Sequence, residues 1–101
     1  MQFDWDKENI HHLGRHDIIP TEAEEVLLGD FIDKGASFVD GEERNEALGE
    51  TRNGRVLFII WIVRDDIIQD EKIRVVTGWD APRSSRQEYL QYKANLWHPN
   101  S

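Results

Sequence analysis

The longest unbroken apolar stretch in the chain covers residues 56–63, Val-Leu-Phe-Ile-Ile-Trp-Ile-Val. An apolar run this short, bounded by charged and turn residues, predicts a central strand buried on both faces. Asn53-Gly54 stands just before it. That dipeptide between two extended segments predicts a tight hairpin, which pairs the apolar run with residues 42–50. Residues 71–77 alternate, with Lys72, Arg74 and Val76 on one face of a strand and Ile73, Val75 and Thr77 on the other. Residues 2–5 read as a short first strand with Phe3 and Trp5 on one face. Residues 31–39 contain Phe31, Ile32, Phe38 and Val39, interrupted by Lys34-Gly35. They read as a strand, an irregular loop, or part of each.

Helical spacing fills the gaps between these segments. Asp6 can cap a helix running to about His16, with Ile10 and Leu13 on its apolar side. Residues 17–20 form a connector. Thr21 opens a T-E-A-E capping box, and the helix that follows runs to about Leu28 and ends at Gly29. Its buried stripe is Ala23, Val26 and Leu27. Asp80 can cap a last helix with Pro82 in its first turn. That helix runs to about Lys93, with Leu90 and Tyr89 or Tyr92 inward. Residues 64–70 read as a charged turn, and residues 99–101 as loose. The order is strand, two helices, antiparallel strands, helix, and it predicts an α+β class. Residues 1–93 form a single domain and residues 94–101 a tail.

Composition narrows the chemistry. The chain has 101 residues and no cysteine, which excludes disulfides, thiolate metal sites and cysteine nucleophiles. No apolar run is long enough to span a bilayer. The first residues lack the basic start and apolar stretch of a signal peptide, so the expectation is a soluble, cytoplasmic protein. The net charge is −8, which opposes non-specific binding to nucleic acid. The charge is uneven. Between Lys72 and Lys93 there are five cations and two anions, against seven cations and eighteen anions elsewhere. Screening acts over about 8 Å at physiological salt, so a basic site can persist inside an acidic protein. An ordinary solvated helix face explains the same cluster.

Several side chains are candidates for chemistry. His12 and His16 stand four apart and can share a helical face. A metal there would need further ligands, such as nearby carboxylates, and packed or surface histidines are the simpler reading. His16 alone is a candidate proton carrier, since imidazoles titrate near neutrality. There is no Gly-rich phosphate loop, and no strand–elbow–helix motif holds Ser84 or Ser85. Trp5 and Trp61 sit in core-like patterns. Trp79, beside the basic segment, is the best of the four tryptophans for stacking on a base. The leading constellation is Arg74, Arg83, Arg86 and Tyr89. The last three lie three apart along one side of the final helix, and Arg74 lies on the strand before it. Together they can grip a phosphodiester. RNA cleavage needs cations for the phosphorane charge and groups to move protons, here His16, Glu43 or Tyr89. Surface salt bridges from Arg83 and Arg86 to Glu88 or to acidic loops are the plain alternative.

These residues also fall into a familiar order. FDWDKENIHHLGRH, GEERNEALGETRNGRVLFIIWIVR and IRVVTGWDAPRSSRQEYLQY resemble the opening, the hairpin with its apolar strand, and the C-terminal segment of BrnT-type toxins of bacterial toxin–antitoxin pairs. The resemblance covers about residues 3–92. It implies a RelE-like fold, an antiparallel sheet with two N-terminal helices and one C-terminal helix. It implies a metal-independent endoribonuclease that blocks translation, working on RNA that is free or ribosome-associated. It also implies neutralisation by an antitoxin of ribbon-helix-helix type, through which alone DNA is contacted. The polar positions that match are Arg15, His16, Glu43, Arg44, Arg74, Arg83, Arg86 and Tyr89. Of these, His16, Glu43, Arg74, Arg83 and Arg86 would be catalytic, and Arg44 and Tyr89, with Trp79, would hold RNA. The chain has Trp79-Asp80 where the family carries a basic pair, and Ser85 where it carries a glutamate. Those departures favour a second reading, a non-catalytic module of the same fold that binds a basic partner protein.

Overall fold

A computed structural model describes residues 2–65 and 71–97. In chain order the elements are β1 (Gln2–Phe3), α1 (Lys7–Gly14), α2 (Pro20–Leu28), β2 (Ile32–Val39), β3 (Glu42–Glu50), β4 (Val56–Asp65), β5 (Glu71–Asp80) and α3 (Arg83–Trp97). They make an α+β fold with one five-stranded sheet in the order β1-β5-β4-β3-β2. The sheet is mixed, not antiparallel as expected. β1 runs parallel to β5, pairing Gln2 with Lys72 and Phe3 with Ile73. A parallel partner needs a crossover connection, and the chain leaving β1 supplies it through α1 and α2.

Local chemistry sets the element ends. Asp6 caps α1, accepting from the amides of Glu8 and Asn9, while Asn9 Oδ1 accepts from the amide of Asp6. The helix stops at Gly14, short of His16, because Asp17 adopts a left-handed φ of 55° and turns the chain away. α2 begins at Pro20, one residue before the expected Thr21 box, and Glu22 reaches back to the amide of Ile19. The Asn53-Gly54 hairpin forms as expected, with Gly54 at φ 83°. The residue before the last helix does not act as expected. Asp80 is the final residue of β5 and its carboxylate binds Arg55 instead of capping α3. α3 itself continues to Trp97, so the expected boundary at residue 93 falls inside a helix. The turn expected over residues 64–70 begins later, because Arg64 and Asp65 still belong to β4, and residues 66–70, like the loose end at 99–101, lie outside the described residues.

The alternation along β4 builds two cores. Leu57 and Ile59 pack with Leu13, Ile18, Val26 and Leu27 beneath α1 and α2, with Trp61 against them. Val56 and Phe58 pack with Leu48 and Tyr89 beneath α3. Gly78 allows the first core to close. A Cβ there would stand 2.8 Å from Ile59 Cδ1 and 2.8 Å from the Phe58 carbonyl, closer than atoms can approach. On α3 Tyr89 is buried as expected, while Leu90, also expected inward, is exposed. The parity of β5 also differs from expectation. A bulge shifts the register so that Ile60 pairs with Thr77 while Trp61 pairs with Val75. Thr77 therefore joins Arg74 on one face. Among the described residues, no helix is long and apolar enough to cross a membrane.

Candidate functional site

α3 covers only one end of its face of the sheet. Beyond it, alternation and register bring Arg44 and Glu46 of β3, Ile60 and Ile62 of β4, and Arg74 and Thr77 of β5 onto one uncovered floor. Two recesses lie along this floor. One of about 540 Å³ is walled by α1 through Glu8, Asn9 and His12. The other, of about 360 Å³, is walled by Lys34 and Trp79. Arg44 and Thr77 line both, so the recesses form one open trough.

The larger recess is polar and charge-balanced. Arg44, Arg64 and Arg74 line it, opposite Asp6, Glu8 and Glu42. Arg74 is buried. Its Nη1 and Nη2 donate to Asp6 at 3.0 and 3.2 Å, and Nη1 reaches Asp4 at 3.5 Å. The guanidinium holds the Asp6 carboxyl below the ordinary carboxylate range, helped by the amide of Asn9. The same bond raises the Arg74 pKa against the desolvation that opposes it. Asn9, buried beside them, donates to the carbonyls of Asp4 and Val75 at 2.8 and 3.1 Å. This cluster ties β1 and the start of α1 to β5. Arg44 is less engaged. Its Nε lies 3.5 Å from Glu42 Oε1, yet the geometry makes no hydrogen bond and leaves that buried N–H unpartnered. The contact is a charge pair only, because a hydrogen bond needs alignment as well as distance.

The structure disperses the residues expected to act together. Arg74 and Arg44 share the trough. Glu43 is exposed on the opposite face, since it neighbours Arg44 along a strand and pairs with Phe38. His16 lies in the exposed turn after α1, where its carbonyl accepts from Arg55 at 3.0 Å. His12 and His16 therefore share no helical face. Among the described residues no group of three or more His, Asp or Glu is placed to hold a metal ion. Arg15, Arg83 and Arg86 are exposed. The side chains of Arg83 and Arg86 make no hydrogen bond or ion pair among the described residues, while Glu88 pairs with Lys34 at 2.8 Å. Arg74 pairs with Ile62 and the end of β5 with Leu57, which separates Arg74 from the start of α3 by roughly 17 Å along the strands.

Tyr89 is 4% exposed, and its hydroxyl donates to the Asp30 carbonyl at 3.0 Å. Burial, the largest influence, pushes its pKa up. It is a core residue and is not placed to stack on a base or move a proton. Trp79 packs at a tilt against Phe58, 5.8 Å between ring centres, and also lines the trough. Trp5 is held by Glu24 at 2.7 Å.

Two residues gain importance from the structure. His12 lines the recess with Arg44 and Arg74; its position three residues after Asn9 on α1 carries that signal. Arg55 bonds Asp80 through two nitrogens at 2.8 and 2.9 Å, and also Glu22 and the carbonyls of Asp17 and His16. The pairing raises the Arg55 pKa and lowers that of Asp80. A lone cation between a hairpin tip and the apolar run was the trace of this node in the sequence. Compared with known proteins, the chain matches no family model and no curated protein sequence.

Proposed function

We propose that the chain is a toxin-like endoribonuclease of the BrnT kind, RelE-like in fold, with the trough as the place where RNA is held. The observation that carries this reading is the recess in which His12 lies with Arg44, Arg64 and Arg74. Guanidinium groups bind phosphate in bidentate fashion and offset the charge that grows on a phosphorane. An imidazole beside them is suited to move the proton of the 2′-hydroxyl or of the leaving oxygen. His12 takes the proton-carrying role in place of His16 and Glu43. Arg83 and Arg86, exposed and unpaired among the described residues, hold flanking phosphates from α3. The reaction needs no metal, because the arginines do the charge work. The partner that silences it is an antitoxin of ribbon-helix-helix type.

The second reading, a non-catalytic module binding a basic protein, rests on a different feature of the same recess. Its three arginines face three carboxylates, and Arg74 is already held by Asp6 and Asp4. A phosphate has to displace those bonds.

Induction of the chain alone in a bacterial host, with growth and RNA integrity followed, separates the two. Growth arrest with RNA fragments, both lost in Arg44→Ala and His12→Ala, is the outcome the ribonuclease reading expects. Normal growth and intact RNA with soluble protein present would overturn it in favour of the module.

A further inference from the structure

A separate groove of about 470 Å³ lies where α2, the β3–β4 turn and the C-terminal half of α3 meet. Three large apolar side chains on its walls stand in water. Leu28 is 62% exposed, Leu96 47% and Trp97 72%. Such residues scattered singly are ordinary, but three gathered round one groove make it a candidate docking surface. The polar part of the lining is acidic, with Glu24, Glu25, Asp30 and Glu50 against Arg52 and Lys93. Both cations stand beside carboxylates of the same lining, which leaves the groove acidic on balance. Arg52 lies 3.8 Å from Glu25, and Lys93 is bonded to Glu50. The Asp30 carboxylate makes no hydrogen bond or ion pair among the described residues; only its backbone carbonyl is used, by Tyr89.

The occupant follows from charge and geometry. β3, the strand that reaches the groove through Glu50, lies inside the sheet between β2 and β4. No strand can be added there, so recognition is by side chains, as when an amphipathic helix lies in a groove. A second copy of this chain would bring another net −8 to an acidic site, and RNA or an anionic membrane would be repelled in the same way. We propose that this groove docks an amphipathic helical segment of a partner protein, with apolar anchors one turn apart and lysine or arginine on its flanks. The anchors pack on Leu28, Leu96 and Trp97. The flanking cations meet Asp30 and Glu25, and one of them lies on the Trp97 ring. The inference stands apart from the ribonuclease reading, because it uses no residue of the trough.

The test uses the full chain and a fluorescent synthetic Leu/Lys helical peptide, with a Leu/Glu peptide of the same pattern as its opposite. Anisotropy is read at low and at physiological salt. The Leu/Lys peptide is expected to bind and the Leu/Glu peptide not to bind. The double substitution Leu96→Ser with Trp97→Ala weakens binding by about tenfold or more, the scale of an apolar anchor. Asp30→Asn weakens it several-fold and flattens its salt dependence. Glu42→Gln, in the trough, leaves it unchanged. All three variants change residues in contact with solvent, and circular dichroism checks that they fold. Equal binding of both peptides, no binding of the Leu/Lys peptide, or loss equal in Glu42→Gln would each overturn the proposal. A dimer dispersed by the double substitution would also overturn it, by placing a second copy in the groove.

Discussion

Arg55 and Arg74 are both held by pairs of carboxylates, yet they sit in different surroundings. Arg55 uses all of its donor directions. It takes both oxygens of Asp80, the carboxylate of Glu22 and two backbone carbonyls, Asp17 at 2.6 Å and His16 at 3.0 Å. It joins the hairpin, the end of β5, the α1–α2 turn and the start of α2, and no donor is left for a ligand. Arg74 is bonded to Asp6 and Asp4, with no backbone carbonyl among its described partners, and it faces an open recess. Carboxylate partners are exchangeable for another anion, whereas carbonyls fixed in turns are not. The first arginine is a staple, and the second is a site held in balance.

Removing each arginine is the strongest way to break that comparison. Arg55→Ala leaves two carboxylates and two carbonyls without their donor. Stability should fall by roughly 2–3 kcal/mol, seen as a lower urea midpoint with an unchanged slope. Arg74→Ala should cost less, about 1–2 kcal/mol, because Asp6 keeps its capping bonds to α1 and stays in contact with water. On the ribonuclease reading proposed above, its larger effect is on RNA cleavage, expected to drop roughly a hundredfold or more. If Arg74→Ala proved the more destabilising of the two, or left cleavage intact, the division between staple and site would fail.

Acid sharpens the comparison, because both nodes depend on depressed carboxylates. Asp6 is lowered chiefly by its bond to Arg74, and Asp80 by its bond to Arg55. A carboxyl with a lower pKa folded than unfolded takes up its proton first in the unfolded chain. Its contribution is therefore complete above the ordinary carboxylate range and is lost as the pH falls from about 4 through the folded value. Urea midpoints measured across that range should drop toward acid. Asp6→Asn, which retains a capping oxygen, and Asp80→Asn should each make the drop shallower. A variant that fell as steeply as the natural chain would show that its carboxyl was not engaged.

The two nodes also show how far the sequence could be read. Asn53-Gly54, the apolar strand and the Asp6 cap follow from local rules, and they are where the sequence places them. Asp40-Gly41 at the β2–β3 turn, with φ of 52° and 78°, obeys the same kind of local rule. What local rules do not carry is register. A single bulge in β5 moves Thr77 to the face of Arg74, and no periodicity announces it. Asp80 carries a good capping residue's chemistry, but Arg55, twenty-five positions earlier, claims its carboxylate. His12 becomes a candidate only when α1 is laid against β5. The same distance effect misled the reading of Tyr89, whose spacing from Arg86 put it on the helix face with the arginines, while its burial against Asp30 makes it part of the core.

The smallest effect is expected at Glu43, and there the comparison is most exposed to failure. The resemblance to BrnT-type toxins would make this residue a proton carrier. It is exposed, and its neighbour Arg44, not Glu43 itself, points into the trough. Glu43→Gln should change stability by less than about 0.5 kcal/mol, as surface substitutions do. It should leave the pH dependence of RNA cleavage unaltered, whereas His12→Ala should abolish cleavage. If Glu43→Gln removed cleavage and His12→Ala did not, the reacting phosphate would have to lie on the α1/α2 side of the sheet. Arg74 would then be no more available to it than Arg55.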